Sequence, residues 1–171
     1  MTVATVPLIS VEEYLHMTYR PDCDYIDGVV VERNLGQYSH STLQMLTLMT
    51  LQERAEQWGI LVRPELRVKI RNGKYRVPDV VVLSKDAPRP PVIEQPPLLC
   101  IEIVSPDDRL RDLTERAQDY LVMGVPETWI VDPETKTAYR YSTAGLHEIP
   151  SGTVMQHGQI QLNPFKLFAQ L

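Results

Sequence analysis

Long apolar runs are missing from this sequence. The longest, Val80–Leu83 and Leu98–Ile101, have four residues each, whereas a membrane-spanning helix needs about 20. The first ten residues, MTVATVPLIS, contain no basic residue and no sustained apolar stretch, so no export signal is read there. Cysteine is scarce. Cys23 and Cys100 are the only two and make neither a disulfide framework nor a zinc site. Cys100, inside an apolar run, reads as a small core residue, and a reducing cytoplasm is the expected compartment. Internal repeats are lacking as well. The nearest thing to a linker is the proline-rich Ser84–Pro97, read as a surface loop within the domain.

What remains is an ordinary globular composition of 171 residues, 43% hydrophobic and 23% charged, which suits a single domain over residues 1–171. The net charge is −5, but it is unevenly placed. Six bases (Arg63, Arg67, Lys69, Arg71, Lys74, Arg76) against one acid, Glu65, make that segment +5 and the remainder −10. A basic patch on an acidic body is compatible with a polyanionic partner, and is equally what a solvated face looks like.

Along the chain, Ser10-x-x-Glu13 is a capping box for a short helix to about Thr18. Asp27-Gly28 joins strands Asp24–Ile26 and Val29–Arg33. A helix is expected over Ser39–Trp58, ended by Gly59. Strands are expected over Leu66–Arg71 and Lys74–Leu83, joined by Asn72-Gly73, and then at Leu98–Val104. Arg109–Met123 reads as a helix ended by Gly124. Strands follow at Thr128–Val131, Thr137–Tyr141, Leu146–Ile149 and Val154–Leu162. The order implies an α/β or α+β fold with helices on a central sheet.

Alternation places the charged residues. If Asn72-Gly73 is a two-residue turn, Arg71 faces Lys74 and Lys69 faces Arg76. Arg67, Lys69, Arg71, Lys74 and Arg76 then share one face with like charges opposed, an arrangement that costs stability and motivates an anionic partner such as a nucleic-acid backbone, although solvent exposure would make the pairs cheap. Val68, Ile70, Tyr75, Val77 and Asp79 fall on the other face, which puts Asp79 among core residues unless Pro78 introduces a bulge. Glu102 interrupts LLCIEIV, a run apolar on both parities as in a central strand covered on both sides. A bare carboxylate there costs several kcal/mol unless it is hydrogen-bonded, protonated or metal-bound. Two acids on neighbouring central strands offer hard oxygen ligands to Mg²⁺ or Mn²⁺. The plainer reading of the same pattern is two acids salt-bridged to arginines at the end of the sheet.

Several motifs in order carry a resemblance: CDYIDGVVVE, His40-Ser41 opening a helix, RVPDVVVL at Arg76–Leu83, PPLLCIEIVSPDDR at Pro96–Arg109, Asp112-Leu-x-x-Arg-x-x-x-Tyr120, and GVPETWIVDP at Gly124–Pro133. From about Ser10 to Tyr141 the chain resembles the Uma family of bacterial proteins assigned as restriction endonucleases, a branch of the PD-(D/E)XK nuclease fold. The resemblance implies a restriction-endonuclease-like core: a mixed central sheet flanked by helices, with additional C-terminal strands. It also implies a Mg²⁺- or Mn²⁺-dependent endonuclease acting on DNA. Carried over by position, Asp79 and Glu102 match the two metal ligands. Asp24 stands where the family usually has Glu, as a third ligand. His40 matches the helix-opening His, either orienting water and phosphate or packing with Leu43, Thr47 and Leu51. Ser105 is expected only to cap its loop. The departure is Arg116, where the family pattern has Lys. Arginine there can stabilise a phosphate or hold Glu102, but it cannot release a proton. A catalytically degenerate module that binds nucleic acid or a protein partner is therefore the alternative. Arg109, seven residues before Arg116 on the same helix flank, is the substitute cation. Met45, Leu48 and Met49 extend the apolar surface of their helix, under later strands or in a homodimer. The homodimer is the reading adopted, since it suits a nuclease that cuts two strands.

Overall fold

In the computed structural model, which describes residues 7–34 and 36–171, the Ser10 hydroxyl accepts the Glu13 N–H at 3.0 Å and opens α1 (Val11–His16). Asp27 and Gly28, at φ 47° and 94°, form the two-residue turn between β1 (Asp24–Ile26) and β2 (Val29–Val31), with Ile26 opposite Val29. Positive φ at both turn residues matches the twist of the strands. The helix expected over Ser39–Trp58 is two helices, α2 (Tyr38–Gln52) and α3 (Ala55–Trp58). At their junction the Arg54 amide reaches back only to the Leu51 carbonyl, at 3.3 Å, a tighter turn than the α-helical one. Gly59 ends α3 in the left-handed region, and β3 (Ile60–Pro64) follows.

The strand expected from Lys74 to Leu83 is also divided, between two sheets. β4 (Val68–Arg71) and β5 (Lys74–Arg76) pair with the first hairpin in a four-stranded sheet ordered β2-β1-β5-β4, while β6 (Val80–Ser84) belongs to a larger sheet. Val77, Pro78 and Asp79 make the crossing. Pro78 has no N–H to give a ladder, and the Val77 N–H is taken by Asp24 Oδ1 at 2.9 Å.

β7 (Leu99–Ile103), α4 (Leu110–Met123) and β8 (Thr128–Asp132) form a crossover in which β7 and β8 run parallel, so α4 has to return over one face of the sheet. With β9 (Thr137–Ser142) and β10 (Gly145–Glu148) the large sheet has the order β10-β9-β8-β7-β6-β3, antiparallel at every pair except β7–β8. The expected strand Val154–Leu162 is a hairpin, β11 (Met155–His157) with β12 (Ile160–Leu162). A helix that the sequence reading missed, α5 (Pro164–Phe168), follows; it is capped by Asn163 and carries proline in its first turn, a readable start signal.

The architecture is thus a mixed α+β one: a mixed central sheet flanked by helices, with added strands at the C-terminal end. One face of the sheet, including Val80, Val82, Ile101 and Trp129, packs with α2, β12 and α5. The other receives α4, with Leu113 and Ala117 against Ile130 and Tyr120 against Cys100, and β4, with Val68 against Val81 and Leu83. Leu110, three residues before Leu113 and seven before Ala117, has the spacing of the buried stripe of α4 but is 57% exposed. Among the described residues no helix is long and apolar enough to cross a membrane. Residues 1–6, on which part of the export reading rested, lie outside the described residues.

Two helix-ending glycines test how tightly these layers fit. A Cβ on Gly124 (φ 109°) would come within 3.1 Å of Pro96 Cγ, whereas one on Gly59 (φ 63°) would meet nothing within 4 Å. Gly124→Ala is expected to lower the free energy of unfolding by about 2 kcal/mol or more, and Gly59→Ala by about 1 kcal/mol. Equal losses in urea unfolding would show that the Pro96 contact does not matter.

Candidate functional site

Glu102 lies in the middle of β7 and is 0% exposed. Because α4 runs back over β7 and β8, two of its residues one turn apart reach this carboxylate. The Tyr120 hydroxyl donates to Oε1 at 2.6 Å, and Arg116 Nη1 donates to Oε2 at 3.2 Å. The other guanidinium nitrogen of Arg116 donates to Asp108 Oδ1 at 3.1 Å. Burial pushes the Glu102 carboxyl up to about 7, with Arg116 pulling it down and Asp79 adding to the rise.

Asp79 immediately precedes β6. The β6–β7 pairing runs Val82↔Leu99, Val81↔Cys100, Val80↔Ile101, and one further step sets Asp79 across from Glu102 on the same face. Its Oδ2 accepts the Ile103 N–H at 2.7 Å and faces His40 Nε2 at 3.4 Å, while Oδ1 is paired with Arg33. Gln44, one turn after His40 in α2, donates to the Asp79 carbonyl at 3.0 Å. Burial works to raise the Asp79 carboxyl, but Arg33, His40 and the Ile103 amide together hold it below the usual carboxylate range. For His40, burial disfavours the charged ring, and the hydrogen bond to Asp79 overcomes that, leaving His40 above its ordinary value. Its Nδ1 has no hydrogen-bond partner among the described residues.

Asp24 stands apart from this pair. Its Oδ1 accepts from the Val77 amide and its Oδ2 accepts from Arg76 Nη1 at 2.8 Å. Both oxygens are committed to holding the first hairpin onto the β5–β6 crossing. Asp24 lines an outer cleft of about 310 Å³ together with Arg33, Asp108 and Arg116. That cleft adjoins a void of about 10 Å³ among Arg33, His40, Asp79, Asp108 and Arg116.

Arg71 lies opposite Lys74 as the Asn72-Gly73 turn led one to expect, but the other basic residues do not keep to one face. The β4–β5 ladder shifts between Lys69 and Arg71, so Lys69 lies opposite Tyr75, and Arg76 opposite Val68. Lys74 and Arg76 turn inward onto α4, where Asp119 meets both, at 2.7 Å from each. Arg67 is held by Asp22 at 2.7 Å and stacks over the Tyr14 ring at 4.5 Å. Arg71 pairs with Asp27 at 2.7 Å and Lys69 with Glu94 at 3.4 Å. The like charges that motivated an external anion are met by acids of the same chain. Arg109, the substitute cation, is exposed at the start of α4.

Three residues of the site escaped the sequence reading. Arg33 was only the end of an expected strand, and no periodicity marks it. Asp108, in the loop after Pro106-Asp107, carries no local mark in the sequence; its Oδ2 caps the Ser105 amide at 2.8 Å, and its Oδ1 accepts from both Arg116 and Asn34. Tyr120 was recognisable as core but not as a donor to Glu102. A larger cleft, about 530 Å³ beside the proline-rich loop and lined by Leu83, Ala87, Ile93 and Pro96 among others, lies elsewhere.

As donors for a divalent ion, Asp79 and Glu102 fit in chemistry, with hard oxygens on β7 and on the residue that leads into its neighbour β6. Among the described residues no three of His, Cys, Asp and Glu converge as a metal-holding group. Arg33, Arg116, Tyr120 and the Ile103 amide donate to those oxygens instead. An ion would have to replace guanidinium groups there.

The two acids respond to pH in opposite senses. Glu102 titrates higher in the folded chain, near 7, than the ordinary 4.5, so the folded state holds an extra proton between these values. Its stabilisation is complete below about pH 4.5 and lost as pH rises through about 7. Asp79, held low, contributes stability above the usual carboxylate range and loses it on acidification. The Tm of the wild type is therefore expected to fall relative to that of Glu102→Gln as pH goes from about 5 to about 8. A difference that stays constant over that range would remove Glu102 from the list of perturbed groups.

Comparison with known proteins bears on this geometry. A crystal structure described as "a putative nuclease belonging to DUF820 from Anabaena variabilis ATCC 29413" matches 94% of this chain and 98% of that chain, with a TM-score of 0.82 at 21% identity, and so shares its fold. A cryo-electron microscopy structure of a DrdV–DNA complex matches 64% of this chain and 10% of that one, with a TM-score of 0.44 at 18% identity, too low to carry an argument. No curated relative matches the sequence. The family model described as "Uma2: Putative restriction endonuclease" matches residues 11–165, which include every side chain placed at the site above, and the chain belongs to that family.

Proposed function

We propose that this chain is a divalent-metal-dependent endonuclease that hydrolyses DNA phosphodiesters at Asp79 and Glu102. The observation that carries the reading is the position of Asp79, one step before β6 and so across from Glu102 of β7 by the register of that ladder, with Glu102 wholly removed from water. Interior like charges side by side cost several kcal/mol and are characteristic of sites whose chemistry uses them. A bound Mg²⁺ or Mn²⁺ supplies phosphate polarisation and a water of lowered pKa. Tyr120 and Arg116 fix the Glu102 carboxylate in one orientation. Arg116, on the rim of the outer cleft, brings positive charge to a phosphate entering there and keeps its proton throughout. His40, with Nε2 on Asp79 and Nδ1 unpaired, is the group placed to orient a water or a phosphate oxygen.

A second reading is favoured by a specific observation. Every oxygen of Asp79 and Glu102 already accepts from a donor of the chain, as in a nuclease-fold module that has lost catalysis and binds nucleic acid or a protein partner. The two readings part on metal and on cleavage. For the enzyme, Mn²⁺ or Mg²⁺ raises the Tm of the wild type but not of Asp79→Asn or Glu102→Gln, and supercoiled plasmid is nicked. Arg116→Ala should lower the nicking rate by roughly 10²-fold, and Arg116→Lys should retain or raise it. If metal binds while wild type and Arg116→Lys are both inert, the binding module is the better description.

DNA contact and self-association belong to the same proposal. Lys69 and Arg71 are the bases of the small sheet whose side chains are most open to solvent, and their double replacement by Ala should reduce the salt slope of DNA binding by about two contacts. Unchanged affinity and slope would return them to a solvated face. Met45 and Met49, 51% and 56% exposed, continue the line of exposed Tyr38 along α2, and this stripe supports a homodimer. Met45→Glu with Met49→Glu should convert a sedimenting dimer to monomer, whereas a wild type that already sediments as monomer would rule the dimer out.

A further inference from the structure

We propose that Arg33 is a substrate-operated gate on this site. In the protein alone its guanidinium holds Asp79, and a phosphate of bound DNA draws it away, freeing Asp79 for the divalent ion. The inference rests on the metal-site reading above and specifies what controls that site.

Three largely buried arginines surround the acids, and they are tethered differently. Arg76 is held by Asp24, Glu115 and Asp119. Arg116 projects from a four-turn helix and is held by Glu102 and Asp108. Arg33 lies two residues beyond β2, outside any helix or strand, and among the described residues its guanidinium pairs with Asp79 alone. It is the one of the three with a single acid partner and a backbone that no ladder fixes.

Space makes the arrangement a block. The void between Arg33, His40, Asp79, Asp108 and Arg116 is about 10 Å³, scarcely one water, whereas Mg²⁺ keeps several of its waters when bound. With the guanidinium on Asp79, that void leaves no room for a hydrated ion. Arg33 also lines the outer cleft of about 310 Å³, so the same side chain borders both the small void beside Asp79 and the larger cleft next to it. A phosphate oxyanion in that cleft is a ligand for which an arginine fork is well shaped. Exchange conserves charge pairing at both ends: the carboxylate trades a guanidinium for the ion, and the guanidinium trades a carboxylate for the phosphate. Metal affinity and phosphate binding are thereby coupled, each promoting the other.

The test is Mn²⁺ binding, read from the electron paramagnetic resonance signal of the free ion. If the gate is shut in about nine molecules of ten, opening it tightens Mn²⁺ binding about tenfold. Arg33→Gln should show that gain and Arg33→Lys a smaller one, with circular dichroism confirming that both are folded. Wild-type protein with a short phosphorothioate duplex that resists cleavage should show the gain with no substitution, using Asp79→Asn with the same duplex as the blank. Folded Arg33→Gln that binds Mn²⁺ no tighter than wild type overturns the gate, and so does a duplex that leaves wild-type affinity unchanged. If wild type binds Mn²⁺ while neither change tightens it, the metal site stands and the gate is wrong. If no form binds Mn²⁺ with or without duplex, the metal reading falls and the gate falls with it.

Discussion

A carboxylate that water cannot reach has to find its hydrogen-bond donors within the chain, and Glu102 imposes that demand at the centre of β7. The demand is met because β7 and β8 are parallel. A parallel pair requires a crossover, the crossover is α4, and α4 delivers Tyr120 and Arg116 to the two oxygens of Glu102. Arg116 in turn fixes Asp108, whose other oxygen shapes the loop that leads into α4. Topology and site are one construction. Moving the acid one position along β7 would point it into the apolar layer of Ile101, Ile103 and Trp129, where no donor waits.

The charge asymmetry of the sequence has an internal explanation in the same layer. The basic segment forms much of the small sheet, and the acids it lacks are supplied by the rest of the chain: Asp22 for Arg67, Asp27 for Arg71, Asp119 for Lys74, and Asp24, Glu115 and Asp119 for Arg76. Arg76 contributes most, since it ties the first hairpin, α4 and β5 through one guanidinium. Partly buried pairs of this kind add little net stability against their desolvation, but removing one partner leaves an uncompensated charge. Their role is to fix how the small sheet sits on α4. The anion that such a segment suggests from sequence is, for Lys74 and Arg76, the protein's own helix.

Legibility followed the range of the interactions involved. Hairpins and helix ends were readable because Asp27-Gly28, Asn72-Gly73, Ser10 and Gly124 act within a few residues. Glu102 was readable as an anomaly because its apolar surroundings are local in sequence, and Asp79 because an apolar strand follows it. The split at Pro78 was foreseen only as a bulge, since nothing local states that β5 and β6 join different sheets. The register shift after Lys69 is likewise invisible to alternation, and it sent Lys74 and Arg76 to the opposite side from the one parity gave them. Arg33 was unreadable for a stronger reason: it lies 46 positions from Asp79, on a segment with no pattern, and only the folded hairpin brings it back. Tyr120 and Asp108 each looked like something ordinary, a core aromatic and a turn residue, and that ordinary role is also true of them.

The passage Val77–Asp79 joins the two sheets over three residues, and Glu65–Arg67, between β3 and β4, makes a second link of the same length. The links lie side by side, with the Glu65 amide on the Asp79 carbonyl at 3.4 Å and Gln44 donating to both Asp79 and Glu65. Three residues reach at most about 10 Å even when extended, so at both links the end of one sheet stays close to the start of the other. A displacement of the small sheet at the end of β5 is separated from the acid Asp79 by only Val77 and Pro78.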